Sequence, residues 1–463
     1  LPTQRTLLML GVLVFMRWLP GEYAGRQILL LALAVVLACD PLAIHSVGLW
    51  LSFAAVALLM SGGMALGEEG GWRAALRAQW LATWGLAPLT LALFARISWI
   101  SLPVNLVAIP WVTFAIVPLA MLGLLLWPCH EGASDLVWAL AVWLMTQLDH
   151  GLDWAASWPG AVSEFALPGA SVIWLALVLG LLLMPRALPG RALALMPLLA
   201  VLWPQSALLP GQMRLTVLDV GQGLSIHVQT ATHHLLFDTG PPMGARADAG
   251  DRVILPYLRW RGVRALDALV FSHDDLDHTG GAAAILAAWP VQQVMGVWPS
   301  LLASRPLTER PPHQPCLAGQ QWPWDGVHFA FLWPFPELLA ADNDRSCVLR
   351  IEAGGQVVLI PGDLEKAGEK ALLAAGHEAG LRAELLVLGH HGSKTSSPAA
   401  FLRAVRPREV IAAVGYRNRY RHPAAVVVRR LAGLGIPGWR SDGTGALRYD
   451  FLHPGEFPAV ARW

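Results

Sequence analysis

The sequence predicts two architectures in one chain: a multi-pass α-helical membrane domain over 1–210, then an α/β sandwich-like domain over 211–463. Three observations carry this. Of 463 residues, 55% are hydrophobic and only 14% charged, where a soluble domain has about 25% charged residues. The charge is also unevenly placed: 1–210 hold 8 Arg, no Lys and 9 Asp plus Glu, whereas 211–463 hold 25 Lys plus Arg and 23 Asp plus Glu. Finally, strand and helix patterns alternate only after Pro210-Gly211. A wholly soluble protein and a disordered chain are both excluded. The net charge of +1 points to no partner.

In the first region, apolar stretches at 6–19, 27–39, 44–61, 79–95, 99–127, 171–185 and 192–209 are candidate spans, a span needing about 20 apolar residues. Of the 22 Trp, 14 precede residue 210; Trp18, Trp72, Trp99, Trp127 and Trp203 sit at segment ends, as an interfacial belt requires. Pro103, Pro110 and Pro118, with Asn105, interrupt segment 99–127. The carbonyls they free need neighbours or a water-lined cavity. The segment is either a broken helix lining a transport path or a kinked packing helix. Segment 135–158 mixes Asp135, Asp149, His150 and Asp153 with Trp138, Trp143, Trp154 and Trp158, an amphipathic pattern suited to the membrane interface. The stretch 185–191 has two Arg and no acid. Positive-inside logic puts it in the cytoplasm, so that 192–209 crosses outward and 211–463 lie on the outer face. The chain opens on Leu1 with no signal-peptide pattern, and is expected to begin inside a membrane domain.

In the second region, strands are expected at 213–220, 234–238, 266–272, 346–352, 356–361, 384–389 and 409–414. Helices fit at 281–289, 364–376, 398–405 and 424–433. Gly221 and Gly223 permit a tight turn after the first strand. The chemistry gathers at strand ends. Ser272-His273-Asp274-Asp275-Leu276-Asp277-His278 puts two imidazoles and three carboxyls between a strand and a helix, a set that cannot be buried unpaired. Mixed nitrogen and oxygen ligation suits Zn²⁺, Mn²⁺ or Fe²⁺. Asp238-Thr239-Gly240, Gly362-Asp363 and His390-His391-Gly392-Ser393 also follow strands. Of four cysteines none forms a CxxC pair; Cys316 and Cys347 either pair, if their domain faces an oxidising compartment, or stay as free buried thiols.

Taken in this order, these motifs resemble the metallo-β-lactamase fold family and, more closely, the ComEC/Rec2 family of membrane-anchored DNA-uptake proteins. The likeness extends over Leu218-Asp219-Val220-Gly221-Gln222-Gly223, Asn418 with Tyr420, His422-Pro423 and Ser441-Asp442-Gly443-Thr444-Gly445. In the membrane region it rests on Asp40-Pro41, Leu51-Ser52-Phe53, Arg77 with Gln79, and Asn105 with Ile109-Pro110. The resemblance implies an αββα sandwich and a two-metal pocket. His273 and Asp275 would serve one metal, and Asp277, His278 and one of His390/His391 the other, with Asp363 bridging. His391 immediately precedes glycine and fits the ligand position better than His390. Asp238 would orient the ligands. Two departures matter: Asp275 stands where the broader family has His, and 342–346 lacks a further His. The carboxylate-rich set suits one or two ions of Mn²⁺ or Zn²⁺.

The implied activity is DNA uptake across the inner membrane in natural transformation. One strand would pass through the membrane domain while the second domain, outside, degrades the other as a metal-dependent nuclease. Asp238, Asp277, Asp363, Lys394 and His422 are its candidate catalytic residues. Lys394 either neutralises a phosphate or is a surface lysine. His422 either serves the leaving oxygen or a phosphate, or is a turn residue before Pro423. Residues 403–430 carry eight Arg. Arg417, Arg419 and Arg421 are expected to bind DNA without reading sequence, or else to be a solvated surface. The expected partners are DNA, the membrane and other competence proteins of the uptake machinery. A membrane-anchored hydrolase of another phosphodiester and a non-catalytic DNA gate are the alternatives.

Overall fold

The structure is a computed structural model that describes residues 2–63, 72–94, 96–164, 178, 207–244, 247–303, 310–335, 343–375 and 378–462. The chain divides into two compact units, 1–204 with 260–262, and 205–259 with 263–463.

The first unit is helical: α1 (Pro2–Trp18), α2 (Gly25–Cys39), α3 (Val47–Gly63), α4 (Trp72–Phe94), α5 (Ser101–Trp111), α6 (Val117–Leu126) and α7 (Glu131–Ala156). A small core forms where Val36, Leu49 and Phe53 meet Leu8 and Met9. The short strands β1 (Arg96–Ser98) and β2 (Val162–Glu164) pair antiparallel. The expected interruption of 99–127 is corrected here. Helices α5 and α6 run on through a π-helical turn, Val112–Ile116, where Val117 donates to the Val112 carbonyl. Pro110 and Pro118 flank that turn; each lacks an N–H, and the wider turn absorbs the missing ladder bonds. Ser101–Leu126 is the one helix among the described residues long and apolar enough to cross a membrane. The expected segments 171–185 and 192–209, with the Arg-bearing stretch between them, lie outside the described residues apart from 178 and 207–209.

The second unit contains β3 (Met213–Val217), β4 (Ile226–Gln229), β5 (His234–Phe237), β6 (Ala268–Phe271), β7 (Val294–Gly296), β8 (His313–Gln314), β9 (Gln321–Trp324), β10 (Val327–Trp333), β11 (Val348–Ala353), β12 (Gln356–Ile360), β13 (Leu385–Val387), β14 (Glu409–Ala412), β15 (Gly438–Arg440), β16 (Leu447–Phe451) and β17 (Val460–Arg462). One sheet runs β17-β16-β3-β4-β5-β6-β7-β8, the other β15-β14-β13-β12-β11-β10-β9. Leu215, Val217, Phe237 and Val270 of the first pack on Phe329, Phe331, Leu349 and Val358 of the second. Each fully buried side chain of this size contributes about 1.5–3 kcal/mol.

Helices cover both outer faces. Helices α8 (Leu255–Arg261), α9 (Leu276–Thr279) and α10 (Ala282–Ala288) lie on the first sheet, where Leu255, Leu258 and Ile285 meet Leu236 and Leu269. The second sheet carries α11 (Lys366–Ala374), α12 (Glu378–Leu381), α13 (Ala399–Val405) and α14 (Ala425–Gly433), packed through Leu372, Leu381, Phe401 and Val427 on Leu359, Leu386 and Val410. The result is the αββα layering that the resemblance implied. Cys316 and Cys347 form a buried disulfide across it, with Cα atoms 6.0 Å apart.

Candidate metal centre

The site is assembled from strand ends. Parallel pairing of β5 with β6, and of β12, β13 and β14, puts their carboxyl ends along one edge of each sheet. Asp238 follows β5, Ser272-His273 follow β6, Asp363 lies three residues past the end of β12, and His390-His391 follow β13. Gly362 has φ +56°, and a Cβ there would lie 3.0 Å from the Cβ atoms of Ser272 and Ser346. Only glycine lets the chain turn so tightly and present Asp363 to the imidazoles. Gly223 performs the same service opposite, where a Cβ would come within 2.3 Å of the Asp277 carbonyl oxygen.

Asp238, wholly buried, organises the imidazoles. It accepts the Ser272 N–H at Oδ1 (2.8 Å), and at Oδ2 the Ser272 hydroxyl (2.8 Å) and His278 Nδ1 (2.7 Å). With its proton spent on Asp238, the Ser272 oxygen accepts from His273 Nδ1 at 3.0 Å. His391 Nδ1 donates to the Ala413 carbonyl at 2.8 Å. All three Nδ1 atoms are thereby donors. In the neutral rings the three Nε2 atoms are then lone pairs, which is how a ligating histidine is oriented.

Those lone pairs converge with carboxylates. His278 Nε2 lies 3.3 Å from His391 Nε2 and 3.1 Å from Asp363 Oδ1. His391 Nε2 lies 3.3 Å from Asp277 Oδ2 and 3.6 Å from Asp363 Oδ2. His273 Nε2 is 3.4 Å from Asp275 Oδ2. Ligand atoms of His273, His278 and Asp363 fall within 4.8 Å of one another, as do those of Asp277, His278 and His391. Buried His273 Nε2 and Asp363 Oδ1 make no hydrogen bond among the described residues. Imidazole lone pairs 3.1–3.6 Å from carboxylate oxygens repel them unless a proton or a cation lies between. The donor set therefore fits a divalent ion.

The electrostatics agree. Burial alone would push Asp277 up, but the hydrogen bond from His391 and the charge of His278 bring it down to about 2. Burial also opposes ionisation of Asp363, yet His278 and His391 hold it well below the carboxylate range. Burial pulls His278 down, and Asp363 and Asp238 outweigh it to hold the ring well above its ordinary value. Protonated imidazoles thus supply the positive charge these acids demand, and a cation would displace those protons.

The structure brings together His273, Asp275, Asp277, His278, Asp363 and His391, with Asp238 behind them. It sets His390 apart: its Nδ1 meets Glu365 Oε1 at 2.8 Å, while its Nε2 is 3.8 Å from Asp363. His390 and His391 have φ of 48° and 54°, so the turn points consecutive side chains into different surroundings. Asp274 turns away to accept the Ser300 N–H at 2.8 Å. Where the broader family has another His, Asp344 caps α11 through the N–H groups of Glu365 and Gly368, and Ser346 accepts the Asp363 N–H. Lys394 is exposed on the next turn.

The 415–423 loop adds His422, whose buried Nδ1 has no hydrogen-bond partner among the described residues, and exposed Arg417, Arg419 and Arg421. Arg430 is diverted from the expected basic stripe to the carbonyls of Ser396 and Ser397. Sequence reasoning missed Glu365; its only signal is a place two residues after Asp363.

This αββα layering and its histidine–carboxylate centre have counterparts among known proteins: residues 218–415 match the metallo-beta-lactamase superfamily. Residues 1–189 match the Competence protein family. The chain is 39% identical to competence protein ComA of Neisseria gonorrhoeae, over 97% of this chain and 62% of that protein. It is 32% identical to the uncharacterized protein YcaI of Escherichia coli K12, over 93% of this chain and 56% of that protein. The metallo-β-lactamase fold protein YhfI of Bacillus subtilis is similar in structure, with 12% identity and TM-score 0.35, covering 52% of this chain and 99% of that one. A match to the Competence protein family followed by one to the metallo-beta-lactamase superfamily is the combination that the likeness to the ComEC/Rec2 family implied. It spans about six-tenths of the length of the curated relatives it matches.

Proposed function

We propose that this chain takes up DNA across the inner membrane, passing one strand through the helical region while the metallo-β-lactamase domain hydrolyses the other. The carrying observation is the convergence of three imidazole lone pairs and three carboxylates beside a loop with exposed Arg417, Arg419 and Arg421. His273 with Asp275 would hold one cation, and Asp277, His278 and His391 a second, with Asp363 shared. The carboxylate share favours Mn²⁺ over Zn²⁺. When bound, a cation of this kind acidifies water and offsets charge on phosphoryl oxygens.

The chain's own groups do the rest. Asp238 fixes the imidazole tautomers. Arg417, Arg419, Arg421 and Lys394 hold phosphates. His422, beside His390, would serve the leaving oxygen or a phosphate. In the membrane part, Gln79, Thr83, Thr90, Arg96, Ser101 and Asn105 line a cavity of about 310 Å³. Trp84, Leu86, Phe94 and Ile97 line it too, and polar groups placed among them support a strand path there. The buried Cys316–Cys347 disulfide supports a periplasmic position for the second domain. Other competence proteins would deliver the DNA.

The test is cleavage of end-labelled duplex DNA by the purified full chain in detergent, with Mn²⁺, with Zn²⁺ or with EDTA. Metal-dependent loss of label that Asp363→Asn abolishes is expected. Equal cleavage by the variant would sink the nuclease reading; binding without cleavage would leave a DNA gate. Transformation in a strain carrying Asp363→Asn in the full-length gene reports on import.

A further inference from the structure

The loop that borders the metal centre displays aromatic rings as well as charge. Tyr416 and Tyr420 are 74% and 51% exposed. The Arg417 guanidinium lies 5.2 Å from the Tyr416 ring centroid, and that of Arg419 lies 4.7 Å from the Tyr420 centroid. Arg419 also donates to the Tyr420 hydroxyl. Tyr420 stacks on His422 with centroids 5.7 Å apart and planes 13° from parallel. His422 in turn meets the His390 ring at 5.8 Å. Ring contacts therefore run from solvent to the residue beside His391.

The loop is also held in place. Asn418 accepts the His422 N–H at 2.8 Å and donates to the carbonyls of His422 (2.8 Å) and Gly415 (3.1 Å). Gly415 donates to Gln222 of the opposite sheet at 3.3 Å. A braced loop displays its side chains at small ordering cost.

Exposed tyrosines interleaved with arginines match the chemistry of an unpaired nucleotide strand, whose bases stack on rings while guanidinium groups meet its phosphates. A duplex keeps its base faces covered except at its ends. We propose that Tyr416 and Tyr420, once phosphates draw the Arg417 and Arg419 guanidinium groups off the rings, form a base-stacking platform that selects an unpaired strand, or the frayed end of a duplex, for the metal centre. This rests on the nuclease reading and narrows its substrate.

The test is binding of fluorescent oligothymidylate, against an abasic strand of equal length and charge, to the full chain in detergent with EDTA present. Wild type is expected to prefer the base-bearing strand by about tenfold, since one stacked base contributes roughly a five- to hundredfold gain. Tyr416→Ala with Tyr420→Ala should remove the preference and leave abasic binding unchanged, with an unchanged melting temperature. Tyr420→Phe should keep it. Equal affinity of wild type for both strands, or a preference that survives the double substitution, would overturn the platform. Either result leaves the nuclease reading standing, because that reading falls only with the Asp363→Asn comparison.

Discussion

Exchanging Asp238 for Asn moves a proton without changing the shape of the site. The carboxylate now accepts three hydrogens, from the Ser272 N–H, the Ser272 hydroxyl and His278 Nδ1. An amide that keeps its oxygen on the Ser272 N–H turns its NH₂ toward His278. Nδ1 must then accept, the imidazole proton moves to Nε2, and the lone pair facing His391 and Asp363 is lost. The flipped amide instead sets NH₂ against the Ser272 N–H, leaving buried donors unpaired at about 1–3 kcal/mol. In either pose affinity for a divalent cation should fall about 10- to 100-fold, the usual loss when a group supporting a ligand is removed. In a domain of this size each kcal/mol lowers the melting temperature by roughly 2–4 °C. Calorimetric titration of the full chain with Mn²⁺ and Zn²⁺, alongside melting curves, measures both effects. Wild-type affinity in the Asn variant would show that His278 does not present its Nε2 lone pair to a metal.

Replacing Arg417, Arg419 and Arg421 together with Ala should weaken DNA binding and reduce its log–log salt slope by about 2 on a single strand, as expected for three lost phosphate contacts; an unchanged slope removes the loop from the interface. Glu369 is buried on α11, accepting the Ser397 N–H at 3.0 and 2.9 Å, and burial pushes it up to about 8 despite that N–H. Because its folded value is raised, it binds more protons folded than unfolded. Its contribution is complete below about pH 4.5 and is lost as pH rises through 8, by about 5 kcal/mol. Glu369→Gln should flatten the melting-temperature profile between pH 5 and 8; a parallel profile refutes this. The Cys316–Cys347 bond closes a 31-residue separation. Its loss by reduction or double Ser replacement should cost about 3–4 kcal/mol, read as a lower melting temperature in dithiothreitol that the double variant no longer shows.

The strands carrying Asp238, His273, Asp363 and His391 were legible because apolar runs ending in Gly, Asp or His mark a buried strand reaching a polar edge. Strand β10 escaped, although Val327, Phe329 and Phe331 alternate into the core between the sheets before a register shift turns Trp333 to the outer layer. The continuity of α5 with α6 was not legible either. Proline reports a missing N–H, whereas a π-turn depends on how the rest of the helix absorbs it.

The sequence by itself determined the chemistry available: which imidazoles and carboxyls exist, that they follow buried strands, and that an apolar region precedes them. Composition and local backbone preference need no distant partner. Tertiary structure alone decided that Asp238 sets the tautomers, that His391 rather than His390 faces the acids, that Asp344 caps a helix, and that Cys316 joins Cys347. Each of those depends on where residues tens of positions away come to rest, because a side chain's direction and proton are set by what packs and hydrogen-bonds around it.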